Sequence, residues 1–81
     1  MPLSPGRRRA AIGEQIRAAR IHANLSQQTV AQRVGMTLDN YGRIERGQVS
    51  PTPDTLLGIA DAINVPLAHL VREAPPTSEP G

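Results

Sequence analysis

At 81 residues with nine basic and seven acidic side chains, the chain is one small domain, because chains divide into separate cores only well beyond about 150 residues. A large enzyme with a two-domain cleft is thereby excluded, and the absence of Cys excludes disulfides and thiolate metal sites. All basic residues are Arg, and removing the run Arg7-Arg8-Arg9 leaves six Arg against seven acids, so the formal charge of +2 describes a basic arm in front of a near-neutral body. Such a body cannot hold a polyanion by charge alone; any nucleic-acid binding must rest on a few placed Arg. Phe and Trp are missing and Tyr41 is the one aromatic, which suits closely packed short helices better than a sheet built on aromatic and β-branched cross-strand pairs. The longest apolar runs are two or three residues and no signal-peptide core follows Met1, so a cytoplasmic protein is expected.

Met1 to Gly6 and Pro75 to Gly81 are rich in Pro and Gly and read as disordered tails. The expected organisation is a flexible basic arm over residues 1–8, a folded domain over 9–73 and a disordered tail over 74–81. In the first helix Ile12, Ile16, Ala19 and Ala23 recur at i, i+4, i+7 and i+11, one face of a helix running to about His22. Asn24 stands where a left-handed residue ends a helix, and Ser26 follows as N-cap of a second helix with Val30, Ala31 and Val34 inward and Gly35 as its stop. Thr37 is the next N-cap, so the second and third helices meet across a very tight corner; the third runs from Leu38 to about Arg46, with Gly47 as its stop. The fourth is marked by Thr52 as cap, Pro53 at its first position and Asp54 in its first turn, with Leu56, Ile59, Ala60 and Ile63 inward and Asn64 at its end. Pro66 opens a fifth, short helix with Leu67, Leu70 and Val71 on its apolar side. The predicted fold class is all-α, with five helices.

The third helix carries the functional signal. At 100° per residue Tyr41 and Ile44 define its inward face, and the opposite side collects Asp39, Gly42, Arg43 and Arg46, with Leu38 and Glu45 at the flanks. A short helix with a polar outward face, braced across a tight turn by a second helix, has the geometry to enter a major groove about 12 Å wide. Arg43 lies mid-helix on that face, and Arg bonds guanine O6 and N7 bidentately. Asp39 precedes Arg43 by four residues, a spacing that also suits a simple surface ion pair, while an Asp there accepts from cytosine N4 and a Leu such as Leu38 packs on a thymine methyl.

The stretches Ile12-Gly13-Glu14-Gln15-Ile16-Arg17, Leu25-Ser26-Gln27, Val30-Ala31, Val34-Gly35, Tyr41-Gly42-Arg43-Ile44-Glu45-Arg46-Gly47 and Val65-Pro66-Leu67 resemble the Cro/phage-repressor, or xenobiotic-response-element-like, type of helix-turn-helix transcriptional regulators. The resemblance covers about residues 12 to 72 without a gap. It implies a five-helix lambda-repressor-like domain, with residues 27–46 as the helix-turn-helix and the third helix as the recognition helix. It also implies a palindromic double-stranded DNA operator bound by a homodimer. By the same resemblance Thr37, Leu38, Asp39 and Arg43 occupy base-reading positions, Gln27, Gln28, Asn40, Arg46 and Gln48 backbone-contacting positions, and Arg20 and Glu45 a structural ion pair between the first and third helices. Some members carry a basic arm that wraps the duplex, the role expected of Arg7, Arg8 and Arg9. Leu38 and Asp39 depart from the polar or basic readers frequent in the family, and Gly42 inside a helix costs up to about 1 kcal/mol relative to Ala.

The apolar side of the last helix, near Leu67, Leu70 and Val71, is the expected dimer surface. His22 and His69 form no metal motif, and no nucleophile turn or glycine-rich phosphate loop is present, so neither a metal, a cofactor, a small-molecule effector nor catalysis is expected. The functional expectation is a sequence-specific DNA-binding regulator, a repressor or stand-alone controller protein. The alternative is an antitoxin-like or regulatory module that uses the same fold to bind a protein partner.

Overall fold

The computed structural model describes residues 4–71. The chain there forms five helices and no strand: α1 (Pro5–His22), α2 (Gln27–Val34), α3 (Leu38–Glu45), α4 (Pro53–Ile63) and α5 (Leu67–Val71). The first four begin with one device. Ser4, Ser26, Thr37 and Thr52 have extended backbones, and their hydroxyls accept the N–H of Arg7, Thr29, Asn40 and Thr55, satisfying a donor the helix itself leaves free. They also end with one device. Asn24, Gly35, Gly47 and Asn64 all have positive φ, and the next residue's N–H returns to a carbonyl five residues before it: Leu25 to Arg20, Met36 to Ala31, Gln48 to Arg43 and Val65 to Ala60. The chain thus reverses within three residues between α2 and α3.

The centre of the core takes one large side chain from each helix: Ile16, Val30, Tyr41, Ile59 and Leu70, all 0% exposed. Burial of a side chain of this size stabilises by about 1.5–3 kcal/mol. Between them lie Ala19, Ala31, Ala60 and Ala62, whose small size lets the helix axes come close. Ile12, Val34, Leu56 and Leu67 close the rim.

Three expectations are corrected here. The basic segment is not a flexible arm: α1 starts at Pro5, so Arg7, Arg8 and Arg9 lie in its first turns. Ser4-Pro5 is the same cap-plus-Pro signal that marks α4 as Thr52-Pro53, and it prevails over the Pro/Gly composition of the segment. Leu70 is not a surface residue but a core residue, while Val71 is 41% exposed and Leu67 half-buried; α5 is short enough that one residue reaches the centre. Ala23 is exposed, because α1 has ended and it serves as the C-cap. The expected tail over 74–81 and the domain boundary at 73 lie outside the described residues.

Candidate nucleic-acid interface

Two glycines bring α1 against α3 and the loop after it. A Cβ on Gly13 would meet the Ile44 carbonyl oxygen at 2.6 Å and the Glu45 carbonyl carbon at 2.9 Å; backbone cannot yield, so only Gly fits where the two helices touch. A Cβ on Gly47 would come within 2.8 Å of the Ala10 Cα. The first turns of α1, with their Arg, therefore sit beside the end of α3, where Arg46 is the C-cap and Gln48 follows.

α3 is held from below by one carboxylate. Glu45 is 5% exposed and accepts from four donors: Arg20 Nε at 2.6 Å, Arg20 Nη2 at 3.2 Å, Gln27 Nε2 at 3.0 Å and the Tyr41 hydroxyl. Arg20 also donates to the Leu25 carbonyl at 2.9 Å, closing the α1–α2 turn. The expected Arg20–Glu45 pair is thus present, and it gathers α1, α2 and α3 on a single group. Burial pushes the Glu45 carboxyl up, but hydrogen bonds from Arg20, Tyr41 and Gln27 outweigh it and hold the group below its ordinary value. The hydrogen bond to Glu45 raises Arg20. Burial first, and then the bond to Glu45, raises Tyr41.

Above this knot Thr37, Leu38, Asp39, Asn40, Arg43, Arg46 and Gln48 are all exposed. Leu38 leaves 48% of its surface to solvent, an unusual position for an apolar side chain at the start of a helix. Arg43 Nε lies 3.2 Å from Asp39 Oδ2, with both side chains more than half exposed. Thr37 has a double position: its hydroxyl accepts the Asn40 N–H at 3.1 Å while the residue stays exposed. Gln28 is exposed at the start of α2, whereas Gln27 is half-buried and gives one amide N–H to Glu45, so the phosphate contact expected of it is left to its second amide N–H and its backbone N–H. Gly42, expected on the outward face, is buried, because the Arg46 guanidinium lies over it.

One anchoring residue escaped the sequence reading. Arg33 donates from Nη1 to the Ala62 carbonyl at 2.9 Å, tying α2 to the last turn of α4 where free carbonyls accumulate. Nothing local in the sequence marks a bond 29 residues long. A groove of about 490 Å³ runs between α1 and the α4–α5 turn, and His22 and His69 both line it. Among the described residues no group of three or more His, Cys, Asp or Glu stands close enough to hold a metal ion, and no helix is long and apolar enough to cross a membrane.

An exposed polar helix locked at its base, preceded across a three-residue turn by a bracing helix, makes this a helix-turn-helix domain. A family model described as Helix-turn-helix (HTH_3) matches residues 16–70, well over half of the chain, and the chain belongs to that family. It is 33% identical over 60 residues to the cryptic phage CTXphi transcriptional repressor RstR of Vibrio cholerae, and 33% identical over 64 residues to an uncharacterized transcriptional regulator in the ATPase CF(0) region of Rhodospirillum rubrum. These alignments cover 74% and 79% of this chain but only 54% and 59% of the relatives, so the chain spans a little over half their length. Among solved structures, the restriction-modification controller protein C.AhdI from Aeromonas hydrophila superposes with a TM-score of 0.74 at 29% identity, over 76% of this chain and 94% of that one. The hypothetical transcription factor NHTF from Neisseria shares the fold, with a TM-score of 0.78 at 20% identity over 94% of this chain and 86% of that one.

Proposed function

We propose that the protein is a sequence-specific DNA-binding transcriptional regulator, a repressor or stand-alone controller, that docks α3 in the major groove of double-stranded DNA in the cytoplasm. The observation that carries this reading is the contrast on α3 itself: one face locked by Glu45 to two other helices, the other presenting Arg43 and its polar neighbours to solvent. A helix held this way meets DNA without reorganising, which lowers the ordering cost of binding. The three proteins named above as repressor, regulator and controller support the same reading over the protein-partner alternative.

In this arrangement Thr37, Leu38, Asp39 and Arg43 face base edges, with Arg43 bidentate on a guanine. Gln28, Asn40, Arg46, Gln48 and the start of α2 at Gln27 meet phosphates. Arg7, Arg8 and Arg9 act as a rigid helical extension rather than a wrapping arm. Their position supports a polyanion partner, because α1 has no acid in its first turn and cations at a helix N-terminus oppose the macrodipole; an arriving phosphate relieves that repulsion.

An eight-residue α3 is about 12 Å long, the rise of roughly three to four base pairs at 3.4 Å each. One copy reads too short a word to select a site in a genome, so the protein acts as a homodimer on a two-fold symmetric operator, with half-sites about one helical turn apart. With Leu70 in the core, the dimer surface is reduced to the half-buried Leu67 and the exposed Val71.

The test is selection of bound fragments from a random DNA library by the purified protein, followed by titration of the selected site with salt. Affinity should fall steeply between about 50 and 200 mM salt, and the selected sites should be palindromic. Negligible affinity at low salt would refute the DNA reading and leave the protein-partner alternative.

A further inference from the structure

Gly42 is an oddity that neither the fold nor the reading of bases accounts for. It lies in the middle of α3, where Gly is the poorest helix former after Pro, yet its backbone is neither strained nor left-handed, and it is absent from the positive-φ positions. Nor does another helix need the space, as α3 needs it at Gly13. The three heavy atoms nearest to where a Gly42 Cβ would stand all belong to one side chain, Arg46: Nη1 at 2.9 Å, Cζ at 3.6 Å and Nη2 at 3.6 Å. The guanidinium of a residue one turn later therefore lies across the bare backbone of α3, and its cover is what makes Gly42 buried.

We propose that Gly42 is a positioning residue for DNA binding, a berth that seats the Arg46 guanidinium on the surface of α3 next to Arg43. The proposal rests on the DNA-binding reading above and adds to it a reason for the glycine. A free Arg on a helix end samples many rotamers and loses that freedom on contact; one seated against the bare Gly42 backbone is already placed. Arg46 is exposed as a residue, so its guanidinium remains open to a phosphate while it lies against the Gly42 position. Its planar fork suits such a seat, and the ammonium of Lys would not reproduce it. Arg43 at i and Arg46 at i+3 then enter the interface as a pair with a fixed separation, one for a base and one for the adjoining phosphate.

The decisive variant is Gly42→Ala, which introduces one methyl 2.9 Å from Arg46 Nη1, with the three nearest heavy atoms all in the Arg46 side chain. The displaced atoms are the far end of a flexible side chain, so the fold tolerates the change. Thermal unfolding and DNA binding should move in opposite directions: the melting temperature rises because Ala replaces Gly inside a helix, while affinity for the selected site falls about tenfold and the salt slope drops by about one, the signature of one lost phosphate contact. In an Arg46→Ala background, where the methyl has nothing to displace, Gly42→Ala should change affinity less than twofold. Arg46→Lys should keep the charge but lose most of the affinity that Arg46→Ala loses.

Wild-type affinity and salt slope in Gly42→Ala overturn the proposal. An equal loss with and without Arg46 also overturns it, since the methyl would then be striking DNA directly. If Gly42→Ala alone were unfolded, the double variant decides: folding with the affinity of Arg46→Ala shows that the methyl conflicts with Arg46 alone, whereas failure of the double variant to fold means the methyl strikes something else and overturns the proposal. Failure of the underlying reading looks different: the wild-type protein itself would then select no DNA.

Discussion

Two arginine–carboxylate pairs meet α3, one joining it to α1 and one within it, and they do opposite work. Arg20–Glu45 is buried, with side-chain exposures of 12% and 2%, and shares its carboxylate with Tyr41 and Gln27. Asp39–Arg43 lies in water, with exposures of 69% for Asp39 and 52% for Arg43, and belongs to α3 alone. The chemistry is the same and the dielectric is not. In the interior each charge depends on its partner, because an unpaired one costs several kcal/mol; at the surface solvent replaces the partner almost freely. The buried pair therefore sets where α3 sits, and the exposed pair is free to exchange its internal contact for DNA.

The sharpest way to break the contrast is Glu45→Ala. It leaves Arg20, Tyr41 and Gln27 without their acceptor, and a loss of about 3–5 kcal/mol is expected, a large part of what a domain of this size possesses. Urea unfolding measures it, and a loss below about 1 kcal/mol would put the knot on a par with the surface pair. Gly13→Ala comes next: the added methyl meets carbonyl groups of α3 rather than a movable side chain, so despite the better helix propensity of Ala a net destabilisation of about 1–3 kcal/mol is expected in the same assay.

The pH dependence sharpens the comparison further. Because the Glu45 carboxyl is held below its ordinary value near 4.5, the unfolded chain binds the proton more readily than the folded one between the two values. The contribution of this group is complete above the ordinary value and is lost as pH falls through the lowered one. Stability should accordingly decline as pH drops below about 4.5, and in Glu45→Gln that part of the decline should disappear; an unchanged acid limb would mean other carboxylates govern it.

Arg43→Ala should do the reverse of Glu45→Ala. Stability should stay within about 0.5 kcal/mol of wild type, while discrimination at one base pair of each half-site relaxes by about 1–3 kcal/mol; retained preference in a repeated selection would remove the base-reading role. The smallest effect belongs to Asp39→Ala, about 0.2–0.5 kcal/mol in stability, with any larger change confined to DNA binding.

Legibility in the sequence followed the range of the interactions. Ser26, Thr37 and Thr52 as caps, and Asn24, Gly35, Gly47 and Asn64 as stops, each act within five residues, so four helix ends were readable from neighbouring letters. Ser4 was equally local but was masked by the composition of its segment, and the helical Arg7–Arg9 followed from that. The exposed residues of α3 were legible because helical period alone places them opposite Tyr41 and Ile44. Arg20–Glu45 was legible only through family resemblance, and Gln27 on the same carboxylate was expected to turn to phosphate instead.

By itself, then, the sequence determined the number and order of the helices, their ends apart from the start of α1, and, Gly42 excepted, which side of α3 faces water, because hydroxyl caps, left-handed stops and helical period are all local. Only the tertiary structure decided which groups bind each other across 18 to 29 residues: Gln27 on Glu45, Arg20 on Glu45, Arg33 on the Ala62 carbonyl. It also decided that Gly13 is a steric necessity and that Gly42 lies beneath Arg46. Those depend on how close two backbones or side chains come once the core is packed, a distance that no spacing of residues along the chain encodes.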